Sequence, residues 1–117
     1  MKIGEFSKTT GLSIYTIHYY EKIGLIKKNS KDKSGHREYS QYDIEWVQFI
    51  ACLKATGMTL AQILHFIALR EKGDSTIHER LSIMMEQRKR LVEKVSVLND
   101  HLGHINYKIK KFNKLLK

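Results

Sequence analysis

The sequence predicts a mainly α-helical protein in two domains: a compact domain of short helices over residues 1–72 and one long coiled-coil helix over residues 73–117. Three observations support this prediction. Helix-capping residues precede several short apolar segments of the first domain, and a heptad pattern runs through the second. Proline, which interrupts helices, is absent from all 117 residues.

The first two helices have the lengths and the turn of a helix-turn-helix. The first is predicted over residues 3–9 and ends at Gly11, and Ser13 caps a second helix over residues 14–22 that Gly24 ends. In this motif the second helix lies in the DNA major groove. We therefore expect DNA contacts from the polar and aromatic side chains on this helix and at its ends, which are Ser13, Tyr15, Thr16, His18, Tyr19, Tyr20 and Lys22.

A β-hairpin is predicted next, because residues 25–28 and 36–39 are strand-like runs joined by a polar, glycine-containing loop. Residues 22–37 carry six basic residues and one acid. A hairpin with this charge beside a recognition helix is typical of a wing that follows the DNA backbone, and the alternative is a solvated loop. The candidate DNA contacts here are Lys33, Arg37 and Tyr39.

Two capping boxes predict the remaining short helices. They place Ser40 and Asp43 before a helix that runs to Ala55, and Thr59 and Gln62 before a helix over residues 60–69.

The chain's single cysteine, Cys52, lies on the first of these helices. On a helical wheel, Trp46, Phe49, Ile50 and Leu53 mark a buried face between about 140° and 240° from Ile44, and Cys52 falls at about 80°, at the margin of that face. A thiol in this position is a candidate for modification, and the alternative is a small buried spacer.

The second domain carries a heptad seam. Steps of four and three residues from Ile77 to Leu116 meet apolar residues at every position except Arg88. A helix over residues 75–117 would be about 65 Å long, too long to bury its stripe on a domain of about 70 residues. A coiled-coil homodimer is favoured over a helix folded back on its own domain. The predicted interface residues are Ile77, Leu81, Met84, Leu91, Val95, Leu98, Leu102, Ile105, Ile109 and Phe112.

Composition and motifs argue against other classes of protein. The net charge of +9 indicates a polyanionic partner, and nucleic acid is the first candidate. An anionic membrane surface is the second candidate, because residues 108–117 hold five lysines and no acid. The sequence shows no membrane span and no signal peptide, so a cytoplasmic location is expected. One cysteine and the pair His101 and His104 predict no metal site, and no cofactor is expected. Paired carboxylates, a phosphate-binding loop and a Cys-His dyad are all missing, so no enzyme is predicted.

Several segments together resemble the MerR family of bacterial transcriptional regulators. They are residues 3–13, 16–26, 35–40 and 57–63, and the run Tyr19-Tyr20-Glu21-x-x-Gly24-Leu25 is specific to the family. The resemblance covers residues 2–70 and predicts a winged helix-turn-helix. It implies that Tyr19 and Tyr20 contact phosphates, that Arg37 is the wing arginine, and that Thr16 and His18 face the groove. The sequence departs from the common pattern at Tyr15 and His18, where arginine is frequent, and in a wing without proline.

The resemblance also implies a mechanism and a trigger. Such regulators are dimers joined by an antiparallel coiled coil, and they bend and untwist promoters with an overlong spacer so that RNA polymerase can engage both promoter elements. A thiol-based branch, responsive to aldehydes and other electrophiles, is similar in carrying one cysteine at the place of Cys52 and in lacking a C-terminal ligand domain. Covalent modification of Cys52 by an electrophile or oxidant is therefore the predicted trigger. The alternative is another small effector or partner, with Cys52 purely structural.

Overall fold

The computed structural model describes residues 1–27 and 34–117. Its helices are α1 (Ile3–Thr10), α2 (Ile14–Ile23), α3 (Gln41–Ala55), α4 (Leu60–Glu71) and α5 (Ile77–Leu115), and a 3₁₀ turn over Asp74–Thr76 precedes α5. The chain divides into two compact units, Met1–Ile77 and His78–Lys117. The mainly α-helical fold is confirmed, and the described residues contain no β-strand. Residues 28–33, which include Lys33 and most of the predicted hairpin loop, lie outside the described residues.

Local chemistry sets the ends of the first two helices. Gly11 follows α1 and Gly24 follows α2, and both have the positive φ of the left-handed region, 77° and 89°, which glycine adopts without steric cost. The hydroxyl of Ser13 accepts a hydrogen bond from the backbone N–H of Thr16 at 3.1 Å and so caps the start of α2. The turn between α1 and α2 therefore has only three residues, as a helix-turn-helix requires.

Both predicted capping boxes are formed. The Ser40 hydroxyl accepts from the Asp43 N–H at 3.4 Å, and the Asp43 carboxylate accepts from the Ser40 N–H at 2.8 Å. Thr59 and Gln62 make the equivalent pair of bonds at 3.1 and 2.9 Å. Each cap contributes about 1 kcal/mol and fixes the residue at which α3 or α4 begins.

The core of the first unit forms where α1, α2 and α3 meet. Phe6 of α1 and Ile17 of α2 have no exposed area, and the ring of Tyr39 stacks on that of Phe6 with 4.3 Å between the centroids. Burying two aromatic rings in this way contributes several kcal/mol, and it fastens the segment before α3 onto α1. As a result α2 is held by its Ile17 side, and its opposite side faces solvent.

The buried face of α3 differs from the prediction. Its buried residues are Ile44, Val47, Ile50 and Leu53, whereas Trp46 and Phe49 are only half-buried. The prediction was wrong because it took the two large rings as the centre of the buried face. The Trp46 indole instead donates a hydrogen bond to the Leu25 carbonyl oxygen at 2.8 Å, and the Arg70 guanidinium lies 4.3 Å from the centre of its ring. Trp46 therefore lies at the edge of the buried face, with its polar N–H group bonded.

Candidate nucleic-acid interface

Helix α2 presents a continuous polar and aromatic surface. Ile17 and Glu21 are the buried residues on this helix, and Tyr15 is its most exposed large side chain. The predicted contact residues that lie on the exposed side or at the capped end are Ser13, Tyr15, His18, Tyr19 and Lys22, and Thr16 is half-buried beside them. This surface offers hydroxyls, an imidazole and an ammonium group within three helical turns, which suits hydrogen bonding to bases and phosphates.

Tyr20 is joined to a residue that the sequence did not suggest. The Lys54 ammonium donates to the Tyr20 hydroxyl at 2.9 Å and lies 5.1 Å from the centre of the Tyr20 ring. Lys54 comes from the last turn of α3, which places a cation beside α2 from 34 residues away in the chain. No local sequence pattern links the two residues. A hydroxyl polarised by an ammonium group, with that charge alongside, is a suitable donor pair for a phosphate oxygen.

Glu21 is a buried carboxylate at the junction of α2 and the segment that precedes α3. Its side chain is 3% exposed, and Oε1 accepts a hydrogen bond from the Tyr39 hydroxyl at 3.2 Å. Oε1 also lies 3.6 Å from His18 Nδ1, and Oε2 forms an ion pair with Arg37 Nε at 3.4 Å. Glu21 thus contacts three of the predicted DNA-binding side chains, His18, Arg37 and Tyr39, without facing solvent itself.

Tyr39 is a core residue, which corrects the prediction that it contacts DNA. Only 2% of its surface is exposed, its ring stacks on Phe6, and its hydroxyl donates to Glu21. Burial, followed by the nearby Glu21 carboxylate, raises the pKa of the Tyr39 hydroxyl to about 12. The hydroxyl therefore remains a neutral donor to Glu21 at physiological pH.

An open cavity of about 490 Å³ lies beside the exposed end of this network. It is lined by Lys2, Ile3, His18, Gly35, His36 and Arg37. Two basic side chains and two imidazoles therefore face one space next to α2, a composition that favours an anion such as a phosphate. Lys2 is also bonded to Glu38 at 2.5 Å, and this bond, together with one from the Met1 ammonium, holds the pKa of the Glu38 carboxyl below its ordinary value.

The Cys52 thiol is exposed in the described chain. It lies almost opposite the centre of the α3 face formed by Ile44, Val47, Ile50 and Leu53, at about 170° on the helical wheel. The thiol therefore lies further from the core than the sequence indicated and is accessible to a reagent in this single chain.

Helix α5 carries its apolar stripe in solvent. Of the ten residues predicted at a dimer interface, nine are exposed and Met84 is half-buried. Exposed apolar area of this extent, continued over 39 residues of one helix, is rare on a chain that acts alone. In the described part of the chain, no group of three His, Cys, Asp or Glu side chains is placed to hold a metal ion. None of its helices is long and apolar enough to cross a membrane.

Comparisons with known proteins agree with this geometry. Residues 1–69 match the family model described as MerR HTH family regulatory protein, and residues 44–107 match the model for MerR, DNA binding. The HTH-type transcriptional regulator AdhR of Bacillus subtilis (strain 168) is 36% identical over 93 residues, which cover 80% of this chain and 66% of AdhR. An uncharacterized HTH-type transcriptional regulator of Haemophilus influenzae is 36% identical over 104 residues, covering 89% and 77%.

A solved structure is similar over nearly the whole chain. The crystal structure of HiNmlR, a MerR family regulator lacking the sensor domain, bound to promoter DNA, superposes with a TM-score of 0.84 at 33% identity. The match covers 97% of this chain and 90% of HiNmlR.

Proposed function

This chain belongs to the MerR family of helix-turn-helix transcriptional regulators, and we propose that it acts as a homodimer that reshapes a promoter. In this proposal two copies bind one promoter whose spacer is too long. They bend and untwist the DNA so that RNA polymerase can engage both recognition elements.

The observation that carries the proposal is the exposed polar side of α2 with cations at both flanks. An α-helix with its side chains is about 10–12 Å in diameter and fits a major groove about 12 Å wide, and the ten residues of α2 give it a length of about 15 Å. Lys54 beside Tyr20 and Arg37 beside Glu21 are the flanking charges. Tyr15, Thr16 and His18 would then read base edges, while the flanking groups hold the backbone.

The exposed stripe of α5 supports the homodimer. Two α5 helices packed antiparallel would cover the seam from Ile77 to Phe112 on each chain, and this would remove most of the exposed apolar area from water. Two DNA-binding units joined in this way would reach two half-sites of one duplex, so the symmetry of the dimer would set the spacing of the half-sites.

Distortion of the DNA requires binding energy that exceeds the cost of deformation. Bending a site of 20–30 base pairs costs on the order of 1–6 kcal/mol. Contacts to phosphates on both sides of α2, doubled by the second chain, are the contribution that would offset this cost. The basic excess of the first 72 residues, 11 Lys and Arg against 7 Asp and Glu, agrees with this role.

Cys52 is the proposed trigger. Its exposed thiol can be alkylated by an aldehyde or another electrophile, or oxidised, and its helix also carries Lys54, which contacts Tyr20 of α2. Because Cys52 and Lys54 are two residues apart on α3, they lie on different sides of the helix, so an adduct would affect the DNA interface by shifting α3 and not by contact with Lys54. HiNmlR, to which this chain is similar, is a regulator without a sensor domain, which agrees with a trigger inside the DNA-binding unit.

In vitro transcription tests the proposal. The template is the promoter upstream of the protein's own gene, used once with its native spacer and once with the spacer shortened to ordinary length. We expect the protein treated with an electrophile to stimulate transcription on the native template and to have no effect or to repress on the shortened one. Equal stimulation of both templates would contradict promoter distortion, and no binding to either duplex by fluorescence anisotropy would contradict the DNA-binding role.

A further inference from the structure

We propose that Glu21 is a positioning residue for DNA binding, whose buried carboxylate orients the Arg37 guanidinium against α2. This inference rests on the proposed function and goes beyond it. Glu21 itself does not contact DNA in this proposal, because its side chain is 3% exposed. It acts through Arg37, the cation on the other side of α2 from Lys54.

The environment of the carboxylate supports this role. Burying a carboxylate is costly unless it is paired, and Glu21 Oε2 has the Arg37 ion pair but no hydrogen bond among the described residues. A carboxylate kept only for stability would be expected to have both oxygens hydrogen-bonded. The carboxylate is thus arranged with one oxygen anchored in the core through Tyr39 and the other turned to Arg37.

The geometry of arginine explains why orientation matters. The guanidinium is a rigid plane, so an anion 3.4 Å from Nε favours some directions of the whole group over others. Arg37 is 24% exposed, lines the cavity of about 490 Å³ and lies on the chain two residues from Tyr39, which is locked on Phe6. Tyr39 therefore restrains the backbone near Arg37, and Glu21 restrains its guanidinium. In this proposal, less conformational entropy of Arg37 is lost when DNA binds.

A double-mutant cycle tests the proposal. The parent, Glu21→Gln, Arg37→Met and the double variant are titrated by fluorescence anisotropy with one duplex that the parent selects from a randomised library. Glutamine keeps the shape of the side chain and an acceptor for Tyr39 but removes the charge that holds Arg37. We expect Glu21→Gln to weaken binding about tenfold, as for the loss of one member of a close charge pair, and to have no further effect once Arg37 is methionine.

The cycle separates positioning from a general effect on the fold. An equal loss in both backgrounds would mean that Glu21 acts through the fold or through His18 and not through Arg37, and unchanged binding of Glu21→Gln would mean that it does not orient Arg37. Either result overturns the inference while DNA binding by the parent stands. A parent that binds no duplex overturns the proposed function and this inference with it. Glu45→Gln, the same change on an exposed α3 carboxylate, is the matched control and should bind like the parent.

Arg37→Lys keeps the test decisive if Glu21→Gln does not fold. Lysine retains the charge for a phosphate but has no planar group whose direction Glu21 can fix. We expect Arg37→Lys to lose at least half of the binding energy lost by Arg37→Met. Binding equal to that of the parent would show that charge alone matters at this position, and the inference would be wrong.

Discussion

Replacing a single valine on α5 tests whether the exposed stripe joins two chains. Val95 lies on the predicted seam, whereas Val97 lies two residues further along, on a different side of the same helix. In the single chain the two side chains are almost equally exposed, 50% and 53%. Val95→Ala and Val97→Ala are therefore matched in chemistry, helix and local burial, and they differ in the side of the helix on which the valine stands.

The expected magnitude follows from these exposures. Changing valine to alanine removes about two methylene equivalents, each worth about 0.8 kcal/mol when fully buried. Since half of Val95 is exposed in the single chain, the dimer would gain about 0.8 kcal/mol from each copy and about 1.6 kcal/mol in total. Val95→Ala should then raise the dimer Kd about 15-fold, and Val97→Ala should change it by less than about twofold.

Sedimentation equilibrium over a range of protein concentrations measures both constants. Circular dichroism of each variant, recorded at a concentration where the parent is dimeric, reports the helix content of the same samples. Equal effects of the two substitutions would refute the assignment of the seam. A parent that sediments as a single chain at micromolar concentration would refute the homodimer itself.

Three further predictions concern DNA binding, pH and the thiol. Lys54→Met should weaken DNA binding and reduce the magnitude of the slope of log K against log salt by about one, because one phosphate is no longer neutralised. The control is Lys72→Met, which changes an exposed lysine at the end of α4 and should leave the slope unchanged. An unaltered slope for Lys54→Met would exclude Lys54 from the interface. The Tyr39 pKa of about 12 lies above the value of about 10 for tyrosine in an unfolded chain, so its contribution to stability is complete below pH ~10 and is lost as the pH rises through about 12. Fluorescence of the single tryptophan, Trp46, should show this loss in the parent and a smaller one in Tyr39→Phe; superimposable curves would contradict the assignment. N-ethylmaleimide should add once to the parent, as measured by mass spectrometry, and change its transcriptional output, while Cys52→Ser should neither react nor respond. An equal response of both proteins would leave Cys52 without a sensing role.

The helix boundaries could be predicted from the sequence because each depends on residues a few positions apart. Ser13, the two capping boxes and Gly24 were identified correctly, since a cap needs only a side-chain oxygen and the N–H groups of the next turn. The long helix α5 was also predicted, because its heptad pattern repeats five times. The helix runs from Ile77 to Leu115, whereas the sequence predicted residues 75–117.

The errors have a common cause. Tyr39 was predicted at the DNA surface because its motif lies beside the basic segment. The exposure of an aromatic side chain depends, however, on which residues pack against it. The residue that stacks on Tyr39 is Phe6, which lies 33 residues earlier in the chain. The buried face of α3 was misjudged for the same reason, since Trp46 is drawn to the Leu25 carbonyl and to Arg70. The size of an aromatic ring shows how much area it can bury, but it does not show which side of a helix faces the core.

By itself, the sequence determined where the helices begin and end, that a second helix follows the first after a tight turn, and that the last helix carries an apolar stripe. These properties depend on spacings of two to seven residues, which a linear chain displays directly. Only the tertiary structure decided which charges accompany that helix. Lys54 meets Tyr20 across 34 residues, and Arg37 meets Glu21 across 16, because packing of the core between α1, α2 and α3 brings them together.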